Sequence, residues 1–265
     1  MLKILKYLFL LVAVSCGGFV AKPPNTEGSL RRFTLVIDAG HGGKDPGARG
    51  KYVCEKDIVL KLALQLASKI KKDSPNIRVI LTRASDEFIE LNERSEIANR
   101  KKADLFVSLH CNAAPKSSVV HGTETFAMGL HKSNENLEVA KRENAVILQE
   151  ENYQQTYKGY NPKSPLAHIM LSNFQNAYLT NSLGLADRIE KQFKKSGRSS
   201  RGVKQAGFIV LWKAAMPAVL VEAGFLSNRT EEEYLDSDKG QDEITDSILN
   251  AIKAYREEIE SNEDQ

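Results

Sequence analysis

The chain has 265 residues, 42% of them hydrophobic, enough to bury one sizeable core. Its 37 Lys and Arg against 34 Asp and Glu leave a formal charge of +3. The basic runs "ASKIKKD", "KKADL" and "FKKSGRSSR" are short and scattered, which excludes the one-sided basic face of a nucleic-acid-binding protein.

The N-terminus, "MLKILKYLFLLVAVSCGG", has two early lysines, an apolar run from Tyr7 to Val14 and then small residues. That is the plan of a secretory signal, and the run is too short to span a bilayer as a mature helix. Ala13-Val14-Ser15-Cys16 resembles a bacterial lipobox, which would make Cys16 the lipidated first residue, although Ala13 stands where Leu is usual. A plain signal peptide cut after Ser15 is the alternative. Residues 1–15 are therefore read as a signal peptide and 16–31, rich in Gly, Pro and Ser, as a tether. The protein is expected to be exported to the periplasm or cell envelope, touching the membrane only through a lipid at Cys16.

From residue 32 to 257 strand-like and helix-like runs alternate, ahead of an acidic tail at 258–265. The first strand, "FTLVID" (33–38), runs straight into Ala39, Gly40 and His41. In "EKDIVLKLALQLASKIKK" the residues Ile58, Leu62, Leu66 and Ile70 form the inward stripe of a helix, with Glu55 on that stripe at the first turn. Strands follow at "IRVILT" (77–82), at "DLFVSL" (104–109), which leads into His110, Cys111 and Asn112, and at "TETFAM" (123–128). After a long interval come the helix "LGLADRIEKQF" and the strands "GFIVL" (207–211) and "AVLVE" (218–222), the last ending on Glu222. This alternation predicts an α/β fold, a single domain with a mostly parallel twisted sheet flanked by helices on both faces.

In such sheets ligands bind where the strands end. His41, His110 and Glu222 stand at three strand ends, and Glu55 projects from a helix start toward the same edge. Two imidazoles and a carboxylate suit a zinc ion with an open fourth position, and buried structural histidines are the alternative on residue types alone. Asp38 either orients His41 from behind or forms an ordinary strand-end turn. Glu222 has two readings as well, a proton shuttle or the partner of an arginine such as Arg83.

The segments "LVIDAGHGGKDPGARG", "EKDIVLKLA", "VILTR", "DLFVSLHCNAA", "GTETF", "VKQAGFIVL" and "MPAVLVEAGFLSN" resemble, in order, the motifs of the zinc-dependent N-acetylmuramoyl-L-alanine amidases. The likeness runs from about Phe33 to about Tyr255. It implies a catalytic domain that uses one zinc ion to hydrolyse the amide between N-acetylmuramic acid and L-alanine in peptidoglycan, for cell-wall remodelling or daughter-cell separation. Carried over by position, His41, Glu55 and His110 match the family's zinc ligands and Glu222 its catalytic glutamate. A zinc peptidase cutting within the stem peptide and a non-catalytic wall-binding lipoprotein are the other readings; "VEAGFLSN" and the intact chemical positions favour the amidase.

Residues from about 130 to 182 exceed what a minimal domain needs between a strand and the next helix. Their amphipathic stretch "NLEVAKRENAVIL" is similar to the regulatory helix of the cell-division amidases, which offers a carboxylate to the zinc until an activator protein displaces it. Glu143 is the candidate carboxylate, with Glu150 and Glu151 behind it; a surface helix with a solvated acidic face is the alternative. Cys54 and Cys111 flank Glu55 and His110 and are read as small buried hydrophobes, with a disulfide or a thiolate ligand as alternatives. His121, His131 and His168 match no family ligand and are read as structural or exposed.

Overall fold

The computed structural model describes residues 32–114, 117–172 and 177–263. The signal peptide, the tether and Cys16 lie outside them.

Six strands form one sheet in the order β2-β1-β3-β6-β4-β5. They are β1 (Thr34–Ala39), β2 (Arg78–Leu81), β3 (Leu105–Asn112), β4 (Thr123–Met128), β5 (Ser200–Ala206) and β6 (Ala218–Phe225). The pairings β1–β2, β1–β3, β3–β6 and β4–β5 are parallel, and β4–β6 alone is antiparallel. The sheet is thus mostly parallel, as expected, but β4 and β5 run against the other four strands.

Both faces are covered, and the two-residue period of a strand sorts its side chains between them. Leu35, Ile37, Val107, Leu109, Val219 and Val221 pack on one side with helices α1 (Glu55–Asp73), α6 (Leu179–Lys195) and α9 (Asp238–Glu263). Val36, Phe106, Leu220 and Phe126 pack on the other. There they meet α2 (Leu91–Arg100), α3 (Asn134–Asn144), a 3₁₀ turn (Ala145–Gln149), α4 (Tyr153–Thr156), α5 (Pro165–Ser172) and α7 (Ile209–Trp212), and α8 (Arg229–Asp236) links β6 to α9. The expected stripe of α1 is fully buried at Ile58, Leu62, Leu66 and Ile70, and Glu55 with it.

The strand expected at 207–211 is not there. The ladder is built by Ser200–Ala206, and Ile209–Trp212 is a short helix. An apolar run buried on every side has no period that separates strand from helix, whereas β5 is a half-buried edge strand too polar to stand out. Two boundaries also move. Helix α6 begins at Leu179, inside the expected insertion, and the acidic tail from residue 258 continues α9 to Glu263.

Helix α3 has local reasons to form where it does. Ser133 caps its N-terminus by accepting a hydrogen bond from the Asn136 amide. Val139 and Ala140 are buried against the sheet face that also carries α2 and α7. Helix α3 is therefore packed onto the domain.

Candidate metal centre

The turn after β1 is shaped around two histidines. An added Cβ at Gly40 would lie 2.4 Å from His110 Cε1, so only glycine lets that ring lie against the β1 end. His41 adopts φ +59°, a left-handed conformation that costs a non-glycine residue about 1–3 kcal/mol and needs surrounding structure to hold it. Two buried arginines do so. Arg94 donates to the carbonyls of Ala39 and His41, both at 2.7 Å, and Arg83 to those of Ala39 at 2.9 Å and Gly40 at 2.8 Å.

Asp45 orients His41: its Oδ2 lies 2.7 Å from Nδ1. Asp38 fits neither of its two readings, orienting His41 or forming a strand-end turn. On the strand face, Asp38 accepts hydrogen bonds from Thr82 (2.7 Å), Ser108 (2.6 Å) and Arg94 (2.9 Å). The left-handed turn carries the His41 ring away from it, and the Gly42–Asp45 bridge brings the other carboxylate back.

With Nδ1 held, His41 Nε2 faces inward, 3.1 Å from Glu55 Oε2 and 3.2 Å from Glu143 Oε2. His110 Nδ1 lies 3.0 Å from Glu55 Oε1 and 3.1 Å from Glu143 Oε2. One ligand atom from each of His41, Glu55, His110 and Glu143 lies within 4.8 Å of the others, and all four residues are buried. Glu55 is aimed by backbone amides, Ala48 N donating to Oε2 at 2.7 Å and Cys111 N to Oε1 at 2.8 Å.

These residues fit a zinc ion. His41 Nε2 and Glu143 Oε2 are buried without a properly aligned hydrogen bond, although buried polar atoms are normally satisfied. The donors are imidazole nitrogens and carboxylate oxygens, which zinc accepts. The buried groups ionise one another. Burial alone would lower His110, yet the neighbouring Glu143 and Glu55 carboxylates lift it to about 9. Burial would raise Glu55, but the His41 charge together with hydrogen bonds to His110 and His41 brings it down to about 2.

Glu222 is the register partner of His110 on the neighbouring strand, so both share one sheet face with side chains side by side. It is fully buried, and neither carboxylate oxygen has a hydrogen-bond partner. Burial, reinforced by the negative charge of Glu143, pushes its pKa well above the usual carboxylate range. Arg142 Nη2 stands 3.7 Å from Glu222 Oε1. Arg83, the alternative partner expected, spends its guanidinium on main-chain carbonyls instead.

Three residues about the centre carried no sequence signal. Arg142 ties α3 to the end of β3, donating to the Ala113 carbonyl and to Asn112 Oδ1, each at 3.0 Å. Asn144 locks the end of the same helix, donating to the Gly207 carbonyl at 2.7 Å and accepting from Ile209 N at 2.9 Å. Glu124 is the antiparallel partner of Glu222 and belongs to the same edge, but it lies at the start of its strand rather than at the end. Glu150 binds Leu91 N and the Tyr157 hydroxyl, and Glu151 is exposed, so neither joins the cluster. No disulfide joins Cys54 to Cys111; Cys111 is the small buried group expected, whereas Cys54 is only half-buried. His168 is buried against Tyr160 and the Pro162 carbonyl, His131 is half-buried and His121 is exposed.

Residues 35–254 match the model of the family described as N-acetylmuramoyl-L-alanine amidase. The chain belongs to that family. It is 35% identical over 236 residues to the N-acetylmuramoyl-L-alanine amidase AmiC of Escherichia coli O6:H1, covering 88% of this chain and 55% of AmiC. This chain thus spans about half the length of that amidase. It is 32% identical to the amidase AmiA of Escherichia coli K12 over 88% of this chain and 79% of AmiA. Among solved amidase structures, the catalytic domain of CwlV from Bacillus (Paenibacillus) polymyxa var. colistinus superposes with a TM-score of 0.62 at 31% identity, covering 84% of this chain and 98% of that one. The amidase CwlD from Clostridioides difficile, solved in complex with the GerS lipoprotein, does so with a TM-score of 0.61 at 27% identity, covering 84% and 98%.

Proposed function

We propose that this chain is a zinc-dependent amidase that hydrolyses the bond between N-acetylmuramic acid and L-alanine in peptidoglycan, and that α3 holds it shut through Glu143. The observation that carries the reading is the convergence of His41, Glu55 and His110 beside Glu222 in a member of the amidase family.

In this reading His41, Glu55 and His110 hold the zinc. The chemistry such an ion supplies when bound is acidification of water and polarisation of an amide carbonyl. Asp45 keeps the proton on His41 Nδ1, leaving Nε2 free as a ligand. Glu222 takes the proton from the attacking water and passes it to the departing amine of L-alanine. Its raised pKa suits the donating half of that cycle. Departure of Glu143 removes a like charge beside Glu222, which lowers its pKa toward the accepting half.

Glu143 occupies the remaining side of the ligand cluster, and Arg142 and Asn144 pin the helix that carries it. Opening therefore requires α3 to leave, and a protein that binds the 130–182 segment could drive this. The CwlD–GerS complex supports a lipoprotein as one kind of partner. Export rests on the N-terminal signal, and a lipid at Cys16 would tether the enzyme near the wall.

The test is a digest of purified peptidoglycan by the chain from residue 22 onward carrying Glu143→Ala, with zinc and with chelator, read by mass spectrometry. Free stem peptides beginning with an L-alanine amine, lost with chelator and restored by zinc, are expected. Fragments cut within the stem would move the reading to a peptidase.

A further inference from the structure

Beside the metal centre, α3 roofs a groove of about 650 Å³ that runs from Asn112 and Arg142 to Glu124, Arg201, Lys204 and Phe225. Its floor is made by strands, and among the described residues the floor carries two cations, Arg201 and Lys204, against one carboxylate, Glu124. Glu124 is already committed: it accepts from Asn112 Nδ2 at 2.9 Å and is paired with Lys204. Arg201, one-third exposed, stands 3.4 Å from Glu124 Oε1 and stacks over the Phe225 ring at 5.4 Å. Its Nη2 stands 3.6 Å from Glu135 of α3, an exposed side chain at the rim. The roof helix thus brings two carboxylates to the floor: Glu143 to the ligand cluster and Glu135 to Arg201.

Resting on the amidase reading above, we infer that this groove is the stem-peptide subsite and that Arg201 binds a carboxylate of the stem, a place that Glu135 fills while α3 is docked. Glu135 and Glu143 lie about two turns apart on α3, roughly 12 Å at 1.5 Å per residue. An extended peptide covers that span in about three to four residues. A peptide whose scissile amide sits at the cluster therefore brings its third or fourth residue to Arg201. Stem peptides are anionic and the glycan strand is largely neutral, so a floor with one surplus positive charge selects the peptide. The guanidinium, placed over the Phe225 ring, presents paired donors to a carboxylate, a geometry that a lysine ammonium lacks.

The experiment takes the zinc-loaded chain carrying Glu143→Gln as parent and adds Arg201→Ala or Arg201→Lys. Each is assayed on soluble muropeptides with free stem carboxylates and on the same muropeptides after amidation of those carboxylates. Arg201→Ala is expected to raise KM about tenfold on the free-carboxylate substrate with kcat little changed, and to leave the amidated substrate unaffected. Arg201→Lys should recover part of the loss. An equal loss on both substrates, or no loss on either, overturns the inference while the amidase reading stands. A parent that cleaves neither muropeptide overturns the amidase reading, and this inference falls with it.

Discussion

Glu143 Oε2 lies 3.1 Å from His110 Nδ1, although one residue belongs to an amphipathic helix of the 130–182 segment and the other to a central strand. The contact is buried, with Glu143 and His110 each 4% exposed. In the proposed reading this carboxylate keeps a substrate carbonyl away from the ligand cluster. The helix is held from both sides of Glu143, by Arg142 on the β3 end and by Asn144 on the loop before α7.

The roles of the cluster separate by mutation. His41→Ala or His110→Ala should lose bound zinc and turnover together, measured by metal analysis of purified protein and by muropeptide hydrolysis. Glu222→Ala should retain zinc and lose turnover by about 10²–10⁴-fold, the usual contribution of a positioned proton carrier. Normal turnover in that variant would remove Glu222 from its assigned role.

Asn144 offers a way to loosen α3 without touching any ligand. Asn144→Ala strands the buried Gly207 carbonyl and Ile209 amide, at about 1–3 kcal/mol for each group left unsatisfied. The closed state should weaken accordingly, giving basal hydrolysis between that of the wild type and that of Glu143→Ala at equal zinc occupancy. Hydrolysis no faster than wild type would show that this anchor does not hold the helix.

Much of the site was legible because strands and helices write their geometry as a period. Small residues after β1 and polar residues at the ends of β3 and β6 mark one sheet edge, and the four-residue stripe of α1 fixes where Glu55 points. The rest depends on contacts between distant segments. Asp45 rather than Asp38 meets His41 because of a left-handed turn that no periodicity announces. Glu124 carries no such mark because β4 runs antiparallel to β6 and brings its first residues, not its last, to the same edge. Ile209–Trp212 looked like a strand because a fully buried helical turn and a buried strand are equally apolar.

Asp38 ties acid stability to the β1 end. Burial pushes its carboxyl up, but Arg94 and the Ser108 and Thr82 hydroxyls outweigh burial and hold it below the ordinary value of 3.8. A folded-state pKa below the unfolded one stabilises the fold fully above pH 3.8, and that stabilisation is lost as the pH falls through the folded-state value. Asp38→Asn, which leaves Arg94 buried without its charge partner, should cost about 3–5 kcal/mol at neutral pH. Thermal melts of both proteins should show this difference shrinking well below pH 3.8; a difference independent of pH would contradict the assignment.

The most direct test of a zinc amidase closed by its own helix is the rate of L-alanine amine release from peptidoglycan, measured side by side for the wild-type chain and Glu143→Ala at saturating zinc. The account predicts at least about tenfold faster release by the variant, equivalent to about 1.4 kcal/mol of closure, and its abolition by chelator or by adding Glu222→Ala. Equal rates, or a variant slower than wild type, would contradict it.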